Sequence, residues 1–435
     1  MKKIFLISFL FLFFEEAKAI GETVQWAGIS FVTSAVDVSE QFKHSSRLNK
    51  DLRPFLTKKL SSLDNLSFDL NTGNSERSDD GTISILLGTD TERISTGKLS
   101  VNNEIRCLSI YSISLQAIVY DQKSQSILQI IPFAGEVNHL DPLVGNDCKK
   151  RNDDLDSLRI LLFYLSIDKS RAEQLELLKI PFEERVNQLL KESNDQNSLE
   201  TPNNLFGDFL SYVKEFDTKT IRNTNFYIGI SDISLSELSR NQLGGSTELS
   251  ENIYYSDFFG FQEDAFKMWV STQYTKWFNE AFAIPLIPYK KGKALGGDVP
   301  IKFADSTELL NLKLPSIDFG FKINIRGFKK AKLDESKLRQ AFAWGAFGTV
   351  VFENPGYQEY TSIDIKNILT EEVNKSDEID DWKRFNLSLN KSMRDYIQNL
   401  KKLDKKWIKD NTNMKQKEFK KHTNLIKEKL KLKDE

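Results

Sequence analysis

From Ile317 onward apolar residues take every second position, Ile317, Phe319, Phe321, Ile323 and Ile325, with Asp318, Lys322, Asn324 and Arg326 between them. Side chains along a strand alternate between two faces, so this spacing demands a sheet with one dry and one wet side, and the dry side needs a cover. A cover is encoded nearby: residues 264–282 place Phe266, Trp269, Val270, Trp277, Phe278 and Ala281 at helical spacing. The first half holds the same ingredients in the same order. Residues 23–33 are β-branched and aromatic and predict a strand. Leu48, Leu52, Phe55, Leu56, Leu60 and Leu63 then predict an amphipathic helix, with a kink or late start at Pro54. Residues 82–87 predict a short strand, and Ile105, Cys107, Tyr111, Ile113, Leu115 and Val119 a longer one. After the turn Asp121-Gln122-Lys123-Ser124, residues 127–133 predict its hairpin partner.

The expected class is therefore α+β, with two similar lobes of strand, helix and antiparallel strands. A chain of 435 residues that is 40% hydrophobic is too long for one core and rich enough for two. Residues 20–150 read as the first domain and residues 223–370 as the second. Between them, residues 151–222 form a helical connector, divided at Pro181 and containing the polar linker 193–204. Gly28-Ile29-Ser30 and Gly229-Ile230-Ser231 open the two lobes alike, which suggests one unit used twice. Residues 341–352 predict a strand that Gly345 and Gly348 would weaken or bulge. Residues 371–435 read as a Lys-rich helical tail, frayed over its last 25 residues.

Compartment is read from the opening residues. Lys2 and Lys3, an apolar run over residues 4–14 and Ala17-Lys18-Ala19 have the pattern of a cleavable secretory signal, residues 1–19. The expected address is the periplasm, with the cell exterior as the other exported destination, and with no transmembrane segment in the mature chain. The 2 cysteines, Cys107 and Cys148, are then expected to pair, closing a loop worth about 3–4 kcal/mol through the unfolded chain.

Charge is unevenly spread. Residues 391–435 hold 15 Lys or Arg against 7 Asp or Glu, whereas the whole chain is at -2, so an acidic body carries a basic end. Within it Leu389, Met393, Tyr396, Leu400, Leu403 and Trp407 step by four and three residues, a short heptad seam that could meet a partner. Trp269 and Trp277, eight residues apart on the aromatic helix, are candidates for lining a groove, with core packing as the plainer reading.

Chemistry-bearing motifs are sparse. His139 stands near Asp141 and the cysteines without recognised ligand spacing, and reads as a surface histidine. Asn152, Asp154 and Asp156 begin like a calcium loop, but Ser157 replaces the glycine and Phe163 the closing glutamate, so the run reads as a helix N-terminus. The basic loop Lys291-Gly292-Lys293-Ala294-Leu295-Gly296-Gly297 lacks phosphate-loop spacing. No cofactor, metal or nucleic acid is called for.

In pattern, the strand at residues 24–32, the helix reaching Leu63, the strand ending Leu86-Leu87-Gly88-Thr89-Asp90 and the turn Tyr120-Asp121-Gln122-Lys123 resemble the N-terminal α/β domain of TolB and CsgG-type assembly proteins. That resemblance implies a non-catalytic envelope module that docks other proteins. The expected function is an exported scaffold or assembly protein that binds envelope proteins or an anionic envelope surface through its basic end. The alternative is a periplasmic hydrolase or small-ligand binder with its site between the lobes.

Overall fold

A computed structural model of the chain describes residues 22–431, apart from residues 36, 74–81, 102–103, 144–147, 149–151, 196–204, 219–225, 244–262, 283, 291, 305–308 and 376–380. The signal-like segment and residues 196–204 of the expected linker 193–204 lie outside the described residues, while residues 193–195 belong to a helix rather than a linker.

The fold is α+β, as expected, with two mixed sheets. The first begins with β1 (Thr23–Val32), crosses over through α1 (Val38–Gln41) and α2 (Lys43–Ser61), and returns through β2 (Asp69–Asn71) to β3 (Ile83–Val101), β4 (Glu104–Asp121) and β5 (Ser126–Pro142). Pro54 sits inside α2 without ending it. Then come α3 (Asp153–Leu165), α4 (Arg171–Leu177), α5 (Phe182–Asp195) and α6 (Leu205–Glu215). The second half follows: β6 (Ile228–Leu235), α7 (Glu237–Leu243), α8 (Glu263–Phe282), β7 (Leu286–Ile287), β8 (Gly297–Lys302), β9 (Leu309–Leu314), β10 (Phe319–Glu335), β11 (Arg339–Asn354) and β12 (Gln358–Asn374). The chain ends with α9 (Asp381–Lys402), α10 (Lys405–Asn411) and α11 (Gln416–Lys429).

The two sheets repeat one plan, in the orders β2-β1-β3-β4-β5 and β7-β6-β10-β11-β12. Their irregularities coincide as well. β1 pairs with β3 from Val24 to Trp26, skips Ala27 and resumes from Gly28 to Phe31. β6 pairs with β10 from Ile228 to Ile230, skips Ser231 and resumes from Asp232 to Leu235. One residue is then passed over at Asp90 in β3 and at Arg326 in β10. Another is passed over at Leu128 in β5 and at Tyr360 in β12. Three bulges at matching places are a far stronger sign of a shared unit than a tripeptide, because each bulge fixes the register of everything after it. The Gly-Ile-Ser pair proves to be three residues out of this register, since Gly28 falls where Asp232 stands. In β11 the glycines do not break the strand; the bulges lie across from it in β10.

One face of each sheet is dry against helices. In the first, Val24, Trp26, Ile83, Ile85, Ala117 and Val119 meet Leu52, Leu56, Leu158 and Phe209. In the second, Ile230, Phe321, Ile323 and Phe352 meet Val270, Tyr274 and Phe278 of α8 and Phe385, Leu389 and Met393 of α9.

The opposite faces differ. Residues 297–314 fall inside the expected second domain, yet β8 and β9 join the first sheet, beside β5, and β8 also reaches β1 at Phe31 and Val32. Burial explains this: Val299, Ile301, Leu312 and Leu314 cover Leu86, Ile118, Tyr120, Ile127 and Ile130. As far as Lys431 the last helix is likewise no frayed tail. Phe419, His422, Ile426 and Leu430 are buried, which anchors α11 to the second core.

Candidate docking surface

The expected disulfide is present between Cys107 and Cys148, with Cα atoms 5.5 Å apart. Cys107 lies in β4 opposite Asp141 of β5. Asp141 accepts two 2.7 Å bonds from the buried Arg159 guanidinium, with Arg171 3.2 Å away. Burial opposes charge on both partners of the Arg159 pair, but their mutual hydrogen bonds outweigh it, raising the arginine and lowering Asp141. His139 is half-buried rather than a plain surface histidine; it packs edge-on to Tyr111, and burial, then the nearby Arg159 charge, lowers its pKa to about 4.

The acidic run reads as expected: Asn152 caps α3 by accepting from Asp154 N and Leu155 N, with the aspartates in the first turn. His44, Asp153 and Asp156 bring ligand-type atoms within 4.8 Å of one another. Protein groups already engage them: Lys43 Nζ reaches Asp153 at 2.6 Å, Tyr111 OH donates to Asp156 at 2.6 Å, and Ser157 Oγ lies 2.8 Å from His44 Nδ1. The pattern Tyr111–Asp156 recurs in the second lobe. Trp344, which occupies the matching place in β11, donates Nε1 to Asp381 at 2.7 Å, and Lys330 supplies the cation at 2.9 Å. Sequence reading missed both anchors; an aspartate in the opening turn of each helix after a strand meander was their only trace.

The six seam residues are not offered to a partner. Leu389, Met393, Tyr396 and Leu400 are fully buried in the second core, and Leu403 and Trp407 pack against it. The seam serves internally because the dry face of β10 to β12 needs a helix, and α9 is that helix. Trp269 and Trp277 likewise pack against this core rather than open a groove, and Trp277 Nε1 donates to Asn390 Oδ1 of α9 at 2.6 Å.

With the apolar side turned inward, the lysines face out. Asp404 caps α10 by accepting from Trp407 N, which leaves Lys405, Lys406 and Lys409 exposed. On α11 the inward positions are Phe419, His422, Thr423 and Ile426, so Lys417, Lys420 and Lys421 share the outer face. Among the described residues none of these six makes an ion pair with a carboxylate. Residues 401–431 hold 12 Lys, no Arg and 4 acidic residues. His422 braces the base of this face, with Nε2 2.9 Å from Tyr396 OH and Nδ1 3.0 Å from Thr361 Oγ1, and burial lowers its pKa to about 4.

Among the described residues no helix is long and apolar enough to cross a membrane. Neither a protein-family model nor a curated protein matches the chain.

Proposed function

We propose that this is an exported, non-catalytic envelope protein that docks on envelope components, acting as a scaffold or assembly factor, through the lysine face of α10 and α11. The observation that carries the reading is that Ile408 of α10 and Phe419, Ile426 and Leu430 of α11 are buried in the second core, so six lysines that make no ion pair stand on an anchored base. Lysine ammonium groups are compact point charges suited to a broad anionic surface, whereas bidentate recognition of a single group favours arginine. Each Lys near an anionic lipid surface contributes about 1 kcal/mol, so six would suffice for stable, salt-sensitive attachment. Export is supported by the disulfide, which suits an oxidising compartment.

Deleting residues 391–435 would strip the second core, so charge reversal is the cleaner test. A K405E/K406E/K420E/K421E variant is expected to keep the wild-type fold by circular dichroism. Its retention on envelope fractions and on vesicles with anionic lipid at low salt should fall at least tenfold. Equal retention of both proteins would refute the reading.

A further inference from the structure

The face of the second sheet turned away from α8 and α9 changes character along its length. Its inner half is polar and satisfied within itself: Arg326 reaches Asp364 at 2.9 Å, Thr349 Oγ1 donates to the same carboxylate at 2.7 Å, and Ser231 Oγ donates to Glu353 at 2.7 Å. Past the bulge at Arg326, β11 turns Ala341, Ala343, Gly345 and Phe347 to that side, since Phe342, Trp344 and Ala346 between them are buried in the core under the helices. Solvent-facing strand positions ordinarily carry polar side chains, and here four in succession carry none. The Phe347 ring lies beside Gly345, where a Cβ would stand 3.0 Å from it. Ile368 of β12, directly opposite Gly345, is 52% exposed. A flat apolar face of this kind marks an interaction site.

The register makes this face complementary to itself. Along β12, Lys366 stands opposite Phe347, Ile368 opposite Gly345, Thr370 opposite Ala343 and Glu372 opposite Ala341. One end therefore carries the bulky side chain and a lysine, the other a small side chain and a glutamate, with the Trp344–Leu369 pair at the midpoint. A second copy can be turned about a two-fold axis that lies between the facing sheets and crosses the strands at that midpoint. Phe347 of each copy then meets Ala341 of the other, and Lys366 meets Glu372. Glu372 already has Arg339 at 3.6 Å, but both side chains are more than half exposed, which leaves the carboxylate able to take a second cation.

We propose that this face is the contact between two copies of the chain, packed sheet on sheet. Three strands about 4.8 Å apart, over ten residues of about 3.3 Å each, give a footprint of roughly 450 Å² per copy, against about 800 Å² for a standard stable interface. The association that fits is a reversible dimer with a micromolar dissociation constant, rather than a permanent one. A second copy suits the face better than an unrelated protein does, because its size pattern and its charge pattern are both matched by their own reversal.

The test is sedimentation equilibrium of the mature chain at low salt, from about 1 to about 500 µM. The expected result is a monomer–dimer equilibrium within that range. I368D, at an exposed position, should weaken it by about tenfold or more. K366E and E372K should each weaken it by about tenfold, since each leaves two like-charged pairs across the axis. An equimolar mixture of K366E and E372K should dimerise as well as the wild type, because in the mixed pair every glutamate faces a lysine. Melting temperatures check that each variant keeps its fold, and the mixture is its own control, since loss of fold in either component could not be repaired by adding the other. A chain monomeric at every concentration, a dimer indifferent to I368D, or a mixture no better than its components would overturn the proposal.

Discussion

The two lobes share strand order and bulge positions, and they differ most on the face turned away from the helices. On the first sheet that face carries Leu86, Ile118, Tyr120, Ile127 and Ile130. At the matching register the second sheet carries Lys322, Val351, Glu353, Glu359 and Ser362. The helix-facing positions stay apolar in both, Trp26 and Ile85 in one and Ile230 and Phe321 in the other. One architecture thus tolerates opposite chemistries on one side, and the deciding factor is cover. The β8–β9 hairpin lies over the first sheet and buries its apolar residues, whereas polar and charged side chains take four of the five matching places on the second, Val351 being the exception.

Removing the cover should break the comparison most severely. Replacing residues 297–314 with a short Gly/Ser linker would expose five large side chains, each worth about 1.5–3 kcal/mol when buried. The expected outcome is loss of the first lobe's cooperative transition in urea and association on size-exclusion chromatography. A second lobe that still unfolds on its own would locate the damage; an undisturbed first lobe would disprove the role of the hairpin.

Acidification should strike both lobes. His422 and His139 have pKa values near 4 when folded, against 6.5 for free histidine, so the unfolded chain takes up protons that the folded one refuses. Stability is then complete above about pH 6.5, falls as pH drops towards 4, and levels off below. For the buried His422 the loss is on the order of 3 kcal/mol. Urea midpoints measured from pH 7 to pH 4 should fall less in H422Q than in the wild type.

Reduction should act on one lobe alone. C107S/C148S is expected to cost the first lobe about 2–4 kcal/mol and leave the second unchanged, as resolved by lobe-specific tryptophan fluorescence. The smallest expected effect sharpens the likeness instead. Y111F and W344F each leave a buried aspartate short of one donor, and each should lose about 1–3 kcal/mol. A large inequality between the two would show that these anchors are not equivalent.

Much of this was legible from residues. The alternation at Ile317 to Ile325 gave β10 its dry and wet faces, and the spacing of Leu48 to Leu60 gave α2. The length of β3 was not legible, since its outer half, from Thr89 on, is polar and carries little apolar alternation. Nor was the destination of β8 and β9: period alone says that Val299 and Ile301 share a face, but not which sheet that face will meet. The seam on α9 was read correctly as apolar and wrongly as available, because a heptad stripe looks the same whether its cover comes from another chain or from β10 to β12.

The hairpin that completes the first lobe is encoded nearly two hundred residues after Ile118. A chain emerging from its amino end would therefore carry the Leu86–Ile118–Ile130 surface uncovered until Leu314 has followed it out. Early folding of the first lobe can give only a wet, adhesive half-structure, and its closure must await the opening elements of the second, up to Leu314. Any factor that delays aggregation during that interval would influence yield more than final stability.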